Sequence, residues 1–441
     1  MEIETQVIST EIIKPSSPTP KSLQKHQLSF LDQLAPPFFM PLVYFYSPST
    51  EIPNSQKSDH LKNSLSEVLS RYYPLAGRLV GNLHVDCDDS GVPFSEAEAN
   101  CDLSHVITNP DPKNMTKFLP YKLNESRDFC MAVQATYFRC GGAAVGLLIS
   151  HKIADALSFF SFANTWAAVA RDGDGGGQMP KFDAAAYFPP RDISGYKPST
   201  GMMKEELATR IFTFPAKEIS VLRERYAAAG GSTGTGLGDV PHRRPTRVEA
   251  LSAFIWNRFV SATGMKPDPN KIYTVQHAVN LRTRTDPPLT ESHFGNISRV
   301  AIAKPAVGDG GLMDGGVELM QRVREAIKGV NGDYVAQLRE GEKHLDLMKE
   351  RMAQANKGEL VSFSFTSLCR FPLYEADFGW GKPAWVGSAG FAYKNLVTLM
   401  DSRDGDGIEA WIHLTKQDME KFEVDLELQH FLSHHKTSLI S

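Results

Sequence analysis

Residues 143–169 read AAVGLLISHKIADALSFFSFANTWAAV. Ala143 to Ile149 is an unbroken apolar run, the pattern of a buried strand rather than a half-exposed one. His151 follows it directly, and Asp155 comes four residues later at the start of an amphipathic helical run. A histidine at the end of a buried strand is held by rigid elements on both sides, and it faces whatever cleft lies beyond the sheet edge. Imidazole titrates near neutrality, so it can take a proton from a hydroxyl and return it to a leaving group. The HxxxD spacing alone is weak, because such pairs arise by chance in many chains. Asp155 reads equally as an orienting carboxylate or as a helix-start residue complementing the macrodipole.

Outward from this stretch, the chain alternates β-rich and helical runs. Met131 to Cys140 and Ala143 to Ile149, separated by Gly141-Gly142, predict a β-hairpin. His60 to Tyr73 places Leu61, Leu65, Val68 and Leu69 at helical spacing until Pro74 stops it. Arg78 to Val85 reads as a strand ending in the turn Asp86 to Gly91. Further on, Thr246 to Val260 and Val317 to Lys328 predict helices, while Ile272 to Val279 and Val300 to Ala303 predict strands. Glycine-rich loops interrupt the pattern at Asp172 to Gly177, Ala229 to Arg244 and Gly308 to Gly316. The GTGLG of the second loop follows a helical run, not a strand, so it reads as a linker rather than a dinucleotide fingerprint. No solenoid-length repeat is apparent. The expected class is α/β with mixed sheets flanked by helices.

The 441 residues suit two or three domains. With 47 Lys+Arg against 51 Asp+Glu and a net charge of -4, no broad positive field exists to neutralise phosphates, which argues against nucleic-acid binding. Five scattered cysteines without CxxC or a Cys/His zinc pattern read as reduced thiols. The acidic N-terminus lacks the apolar core of a signal peptide. The longest apolar stretches, Phe38 to Tyr46 and Ala143 to Ile149, fall short of the roughly 20 residues of a membrane span. A cytoplasmic protein without a membrane anchor is expected, with the sequons at Asn114, Asn124 and Asn296 unmodified.

A second segment, Asp377-Phe378-Gly379-Trp380-Gly381, reads by itself as a tight loop whose glycines exclude side chains and whose indole packs into a pocket. In one chain with HKIAD (His151 to Asp155), it resembles the BAHD acyltransferases, plant enzymes that move acyl groups from coenzyme A to alcohols or amines. YPLAGR (Tyr73 to Arg78), VDCDDSGVPF (Val85 to Phe94), RPTRVEALSAFIW (Arg244 to Trp256), VNLRTRTDPPL (Val279 to Leu289), FGN (Phe294 to Asn296) and DGIEAW (Asp406 to Trp411) extend the resemblance over nearly the whole chain.

The resemblance implies a two-domain fold related to chloramphenicol acetyltransferase, with a tunnel between the domains. The expected division is 1–185, a crossover at 186–205, and 206–441. It implies His151 as catalytic base and Thr366 as a hydroxyl near the oxyanion. Asp155 would pair with Arg282 in an architectural role, and Asp377, Phe378, Gly379, Trp380 and Gly381 would support the channel away from the chemistry. Thr246 and Arg247, with Arg244 or Arg243 beside them, would meet coenzyme A. Leu368 stands where many relatives carry tryptophan, which implies a reshaped acceptor pocket.

The expected activity is an acyl-CoA-dependent O-acyltransferase with acetyl-CoA as donor and a plant alkaloid, terpenoid or phenolic alcohol as acceptor. Transfer would be direct, since no GxSxG elbow or Cys/His signature offers a nucleophile. No permanently bound cofactor and no metal is expected, and monomer is the family default. An N-acyltransferase acting on an amine or polyamine, which carboxylates in the tunnel would favour, and a catalytically silent ligand-binding homologue are the alternatives. Asp86, Asp88, Ser90 and Gly91 imitate a calcium loop, but position twelve is Ala97, so the stretch reads as a turn. His430 and His434 lack a third ligand and read as surface.

Overall fold

The computed structural model describes residues 2–48, 52–123, 127–173, 179–197, 206–230, 243–306, 316–390 and 393–432. Asn124, His434, GTGLG and most of the other glycine-rich loops and of the crossover's C-terminal half lie outside these residues.

The N-terminal half supplies β1 (Thr5–Ile13), β2 (Lys25–Gln27), β3 (Phe39–Tyr46), β4 (Arg78–Val80), β5 (His84–Asp86), β6 (Val92–Ala99), β7 (Met131–Tyr137) and β8 (Ala143–Ser150). The C-terminal half adds β9 (Leu207–Phe214), β10 (Ile272–Asn280), β11 (Ser298–Ala303), β12 (Leu360–Ser367), β13 (Trp385–Gly387), β14 (Leu396–Asp401) and β15 (Ile408–Thr415). Two six-stranded sheets result, ordered β1-β6-β7-β8-β3-β13 and β11-β10-β12-β14-β15-β9, beside a small β2-β5-β4 sheet. Both large sheets are mixed: β6 runs parallel to β7, and β10, β12 and β14 run parallel, while the remaining pairs are antiparallel. The α/β class and the β7–β8 hairpin expected from the sequence are both present.

Every residue of β8 is buried, which is why its apolar run does not alternate. At Gly146 a Cβ would stand 1.9 Å from the Phe118 carbonyl oxygen, so only glycine allows the chain to cross there. The helices that matter below are α1 (Phe30–Leu34), α2 (Asn54–Arg71), α3 (Ala156–Asp172), α4 (Ala216–Gly230), α5 (Arg247–Thr263) and α6 (Val317–Gly329). α2 begins before His60 because its first turns are polar and lack the apolar period that marks the rest. The run Arg78 to Val85 divides into β4 and β5 around Gly81, whose φ of 58° turns the chain back.

α2 and α3 pack together over the first sheet, with Leu65, Val68, Leu69, Phe162 and Trp166 in its core. α5 covers the second sheet, where Trp256 and Phe259 meet Phe363. A third apolar cluster joins the halves, from Phe30 and Leu31 on α1 to Leu281, Ile297 and Val335. The halves also exchange chain. β13 leaves the C-terminal half and pairs with β3, Trp385 stacking on Phe45 with centroids 5.5 Å apart. Leu368, Leu373, Ala376 and Phe378 belong to the core of the first sheet for the same reason.

Candidate active site

β8 ends at Ser150, the chain turns through residues 151–153, and Asp155 caps α3 by accepting from the Ser158 amide at 2.9 Å. This strand–turn–helix presents His151 at the sheet end, half-buried. Its backbone is clamped on both sides: its N–H donates to the Phe38 carbonyl at 2.8 Å, and its carbonyl accepts from Asn296 Nδ2 at 2.7 Å. The ring's Nδ1 lies 2.9 Å from the Ala154 carbonyl oxygen. A carbonyl can only accept, so Nδ1 carries the proton and Nε2 keeps its lone pair. Burial lowers the imidazole's pKa below the ordinary histidine value, against the opposing pull of the Ala154 carbonyl and the Asp155 charge. At neutral pH the ring is therefore an unprotonated base. The Phe38 ring packs on it nearly at right angles with centroids 5.1 Å apart, and Tyr393 from the C-terminal half packs on Phe38 with centroids 5.2 Å apart. The histidine thus stands where the halves meet.

Of the two roles left open by its spacing, Asp155 takes the helix-start one and adds an ion pair to it. Besides capping α3, its Oδ2 accepts from Arg282 Nη1 at 2.7 Å and from the Ile297 amide at 3.1 Å, while Oδ1 accepts from Arg282 Nη2 at 3.2 Å. Arg282 is 1% exposed and donates further to the His293 carbonyl. Burial alone would raise the Asp155 pKa, but Arg282 and the hydrogen bonds outweigh it and hold the carboxyl below its usual range. Its carboxylate is spent on α3 and on the chain after β10, away from the imidazole. The pair is a strut between the halves.

Three contributors were not legible as site residues. Asn296 appeared only within FGN and a sequon, yet its amide nitrogen bridges the His151 carbonyl and Asp32 Oδ1. Buried and so engaged, it has no room for a glycan. Asp32 forms a capping box with Ser29 at the start of α1 and also accepts from the Asn296 amide. Phe38 carried no signal beyond its apolarity. The S-x-x-D of Ser29 to Asp32 was the one available sign.

Thr366 lies on β12, and the register places it beside Thr398 of β14. On β12, Phe363 and Phe365 face the second core, so Ser362, Ser364 and Thr366 face the opposite side. Thr274 and Gln276 of β10 share that side, with Gln276 Nε2 donating to Ser362 Oγ at 2.8 Å. Leu368, just past the strand, is 9% exposed and packed in the first core.

Thr246 caps α5 through a capping box with Glu249, and Glu249 pairs with Arg324 of α6 at 3.0 Å. Arg247 reaches Asp401 at 2.8 Å, and Asp401 also accepts from the Arg370 amide at 2.6 Å. The start of α5 is thereby tied to the loop after Thr366. Arg244 pairs with Glu224 at 3.0 Å. On α4, Arg223 has its pKa lowered by burial and by the charges of Arg244 and Arg247, a mark of crowded cations.

The Asp377–Gly381 segment stands apart. Asp377 Oδ1 accepts from the Gly379 and Gly381 amides, and both glycines have φ of 101°. Phe378 is buried against Trp166, centroids 4.8 Å apart, and His60 Nε2 meets its carbonyl at 3.1 Å. Trp166 lies eleven residues along α3 from Asp155, about 16 Å at 1.5 Å per residue. The segment therefore shapes the far end of α3.

Among the described residues no group of three metal-ligating side chains occurs, and no helix is long and apolar enough to cross a membrane. Asp88 accepts from the Ser90 amide and hydroxyl, so the calcium-like stretch is a turn. All five cysteines are free.

The family model described as "Transferase family" matches residues 3–429. Vinorine synthase of Rauvolfia serpentina is 36% identical, covering 97% of this chain and 98% of its own. A crystal structure of vinorine synthase superposes with a TM-score of 0.82 at 34% identity, covering 98% and 99% of the two chains. A limonoid 21-O-acetyltransferase of Melia azedarach is 36% identical, covering 98% and 99%. F. sporotrichioides TRI101, solved with coenzyme A and T-2, shares the fold with a TM-score of 0.67 at 16% identity, covering 92% and 98%.

Proposed function

This chain belongs to the Transferase family of BAHD acyltransferases, and on that premise we propose that His151 is the base that moves an acyl group from coenzyme A to an alcohol. The protein is an acyl-CoA-dependent acyltransferase with the chloramphenicol acetyltransferase-like fold. The relatives named as O-acetyltransferases support acetyl-CoA as donor and a bulky alkaloid or terpenoid alcohol as acceptor.

The observation that carries the reading is the tautomer: the Ala154 carbonyl holds the proton on Nδ1, so Nε2 is available to accept one. As the acceptor oxygen attacks the thioester carbonyl, His151 takes its proton. Thr366 steadies the oxyanion, and the departing thiolate of coenzyme A recovers the proton from the imidazolium. The cations at Arg223, Arg243, Arg244 and Arg247 suit the phosphates of coenzyme A. A tunnel between the halves would let donor and acceptor reach the imidazole from opposite faces. We take the protein to work as a cytoplasmic monomer, with domains 1–185 and 206–441 joined through 186–205.

Replacing the base costs about 10²–10⁴ in rate. His151→Ala should lose that much thiol release from acetyl-CoA with an alcohol panel while unfolding at an unchanged urea concentration. Near-native turnover in this variant defeats the proposal.

A further inference from the structure

Beside the base lies a buried amine that the transfer chemistry does not use. Lys152 is 5% exposed, and its Nζ donates to the carbonyls of Asp32 at 2.5 Å, Gln33 at 3.0 Å and Ala35 at 3.0 Å. These three carbonyls lie at the end of α1, where a helix runs short of donors; the Asp32 carbonyl also accepts from the Ala35 amide at 3.1 Å and the Gln33 carbonyl from Asn82 Nδ2 at 3.0 Å, and Lys152 Nζ gathers all three at one point. The chain that follows, Pro36-Pro37, has no N–H to offer them. An ammonium has three protons, and here each finds one carbonyl.

What α1 holds in turn is His151. Phe38, three residues past Ala35, accepts from the His151 amide and packs its ring on the imidazole. Asp32, inside α1, binds Asn296, which donates to the His151 carbonyl. Lys152 therefore closes a loop of contacts that runs through α1 and returns to both backbone groups of its neighbour.

We propose that Lys152 is a positioning residue of the transfer centre, its ammonium form gathering the end of α1 so that Phe38 and Asn296 hold the imidazole in line. The proposal rests on the reading of His151 as the base. It has a pH signature. Burial lowers the amine's pKa to about 8, against the attraction of Asp32. The other ionisable groups facing this corner are His26 on β2, buried near the Asp32 charge, and Arg127 and Asp128, which line a surface cleft with Lys152. Above that pH the neutral amine donates two hydrogen bonds at most, and the end of α1 loses one of its three ties to Lys152.

The fold should not suffer from this titration. An unfolded lysine keeps its proton to about 10.4, so between 8 and 10.4 the unfolded state binds more protons. The contribution of Lys152 to stability then rises with pH while its positioning role is lost. Opposite signs separate positioning from unfolding.

The test is kcat and KM for acetyl-CoA from pH 6 to 9.5, read as thiol release with the best alcohol of the panel, for wild type, Lys152→Arg and Lys152→Met. Wild type should lose kcat several-fold above pH 8, with its urea midpoint rising relative to that of Lys152→Arg. Arginine stays charged, so Lys152→Arg should abolish the alkaline fall. Lys152→Met should have a kcat at least tenfold lower at pH 7, an unchanged KM and no alkaline limb. A wild-type kcat that stays level to pH 9.5, or an alkaline midpoint that Lys152→Arg leaves in place, overturns the proposal, and both readings stand if the methionine variant does not fold. An active His151→Ala would overturn the base instead; an inactive His151→Ala together with a level wild-type alkaline profile overturns only Lys152.

Discussion

Replacing Asp155 with alanine strips four contacts from one carboxylate at once: the Ser158 cap, the Ile297 amide and both Arg282 nitrogens. Arg282, 1% exposed, would then carry an unpaired charge in the interior. Breaking a buried pair by removing one partner costs about 3–5 kcal/mol, and loss of the N-cap adds about 1 kcal/mol. Against a global stability of about 5–15 kcal/mol, the variant should be marginal. Urea unfolding followed by tryptophan fluorescence reads the midpoint, and thiol release per folded molecule reads activity. Asp155→Ala should shift the midpoint far down and lower the soluble yield. Asp155→Ala with Arg282→Met removes both charges and should recover part of the loss, a coupling of about 0.5–3 kcal/mol. The sign in acid is fixed by the depressed pKa: the stabilisation is present above the unfolded value near 3.9 and is lost as pH falls through the folded value. Wild type and variant should therefore converge in stability only in strong acid. A variant that keeps the wild-type midpoint but is inactive refutes the strut and gives Asp155 a direct part in catalysis.

Phe378→Ala empties a site packed by Trp166, Tyr46 and Trp380 and should cost about 3–5 kcal/mol, with turnover per folded molecule within a few-fold of wild type. A stable but inactive variant would move this segment into the chemistry. Because burial lowers the His151 pKa, the base stays unprotonated below the usual 6.5, so kcat/KM should begin to fall only under that pH. An acid midpoint above 6.5 contradicts the desolvated imidazole. Leu368→Trp forces a larger side chain into the first core at about 1–3 kcal/mol and should change the ratios of kcat/KM across the alcohol panel several-fold; unchanged ratios remove Leu368 from acceptor selection.

What the sequence discloses and what it hides follow one physical division. β8, the turn and α3 are legible because each is written in contiguous residues with its own period, and His151 is legible because it falls on their junction. The role of Asp155 is not, since capping comes from a residue three positions on and pairing from Arg282, 127 positions away; spacing sees the first and is blind to the second. The return of β13 to the first sheet is hidden for the same reason: Trp385 meets Phe45 from a segment that lies between β12 and β14 of the second sheet. Lys152 is the extreme case, because its partners are backbone carbonyls, and any residue type can supply those. Groups that do chemistry must be particular side chains and so leave a pattern, whereas groups that hold them in place often bind main chain and leave none. The resemblance to a family could therefore name the base and the Asp155–Arg282 pair but not Asp32, Phe38, Asn296 or Lys152, whose contacts to the base run largely through main chain. An imidazole aligned through Phe38 and Asn296 inherits the stability of α1, so a perturbation at the end of that five-residue helix should reach the transfer step without touching either substrate.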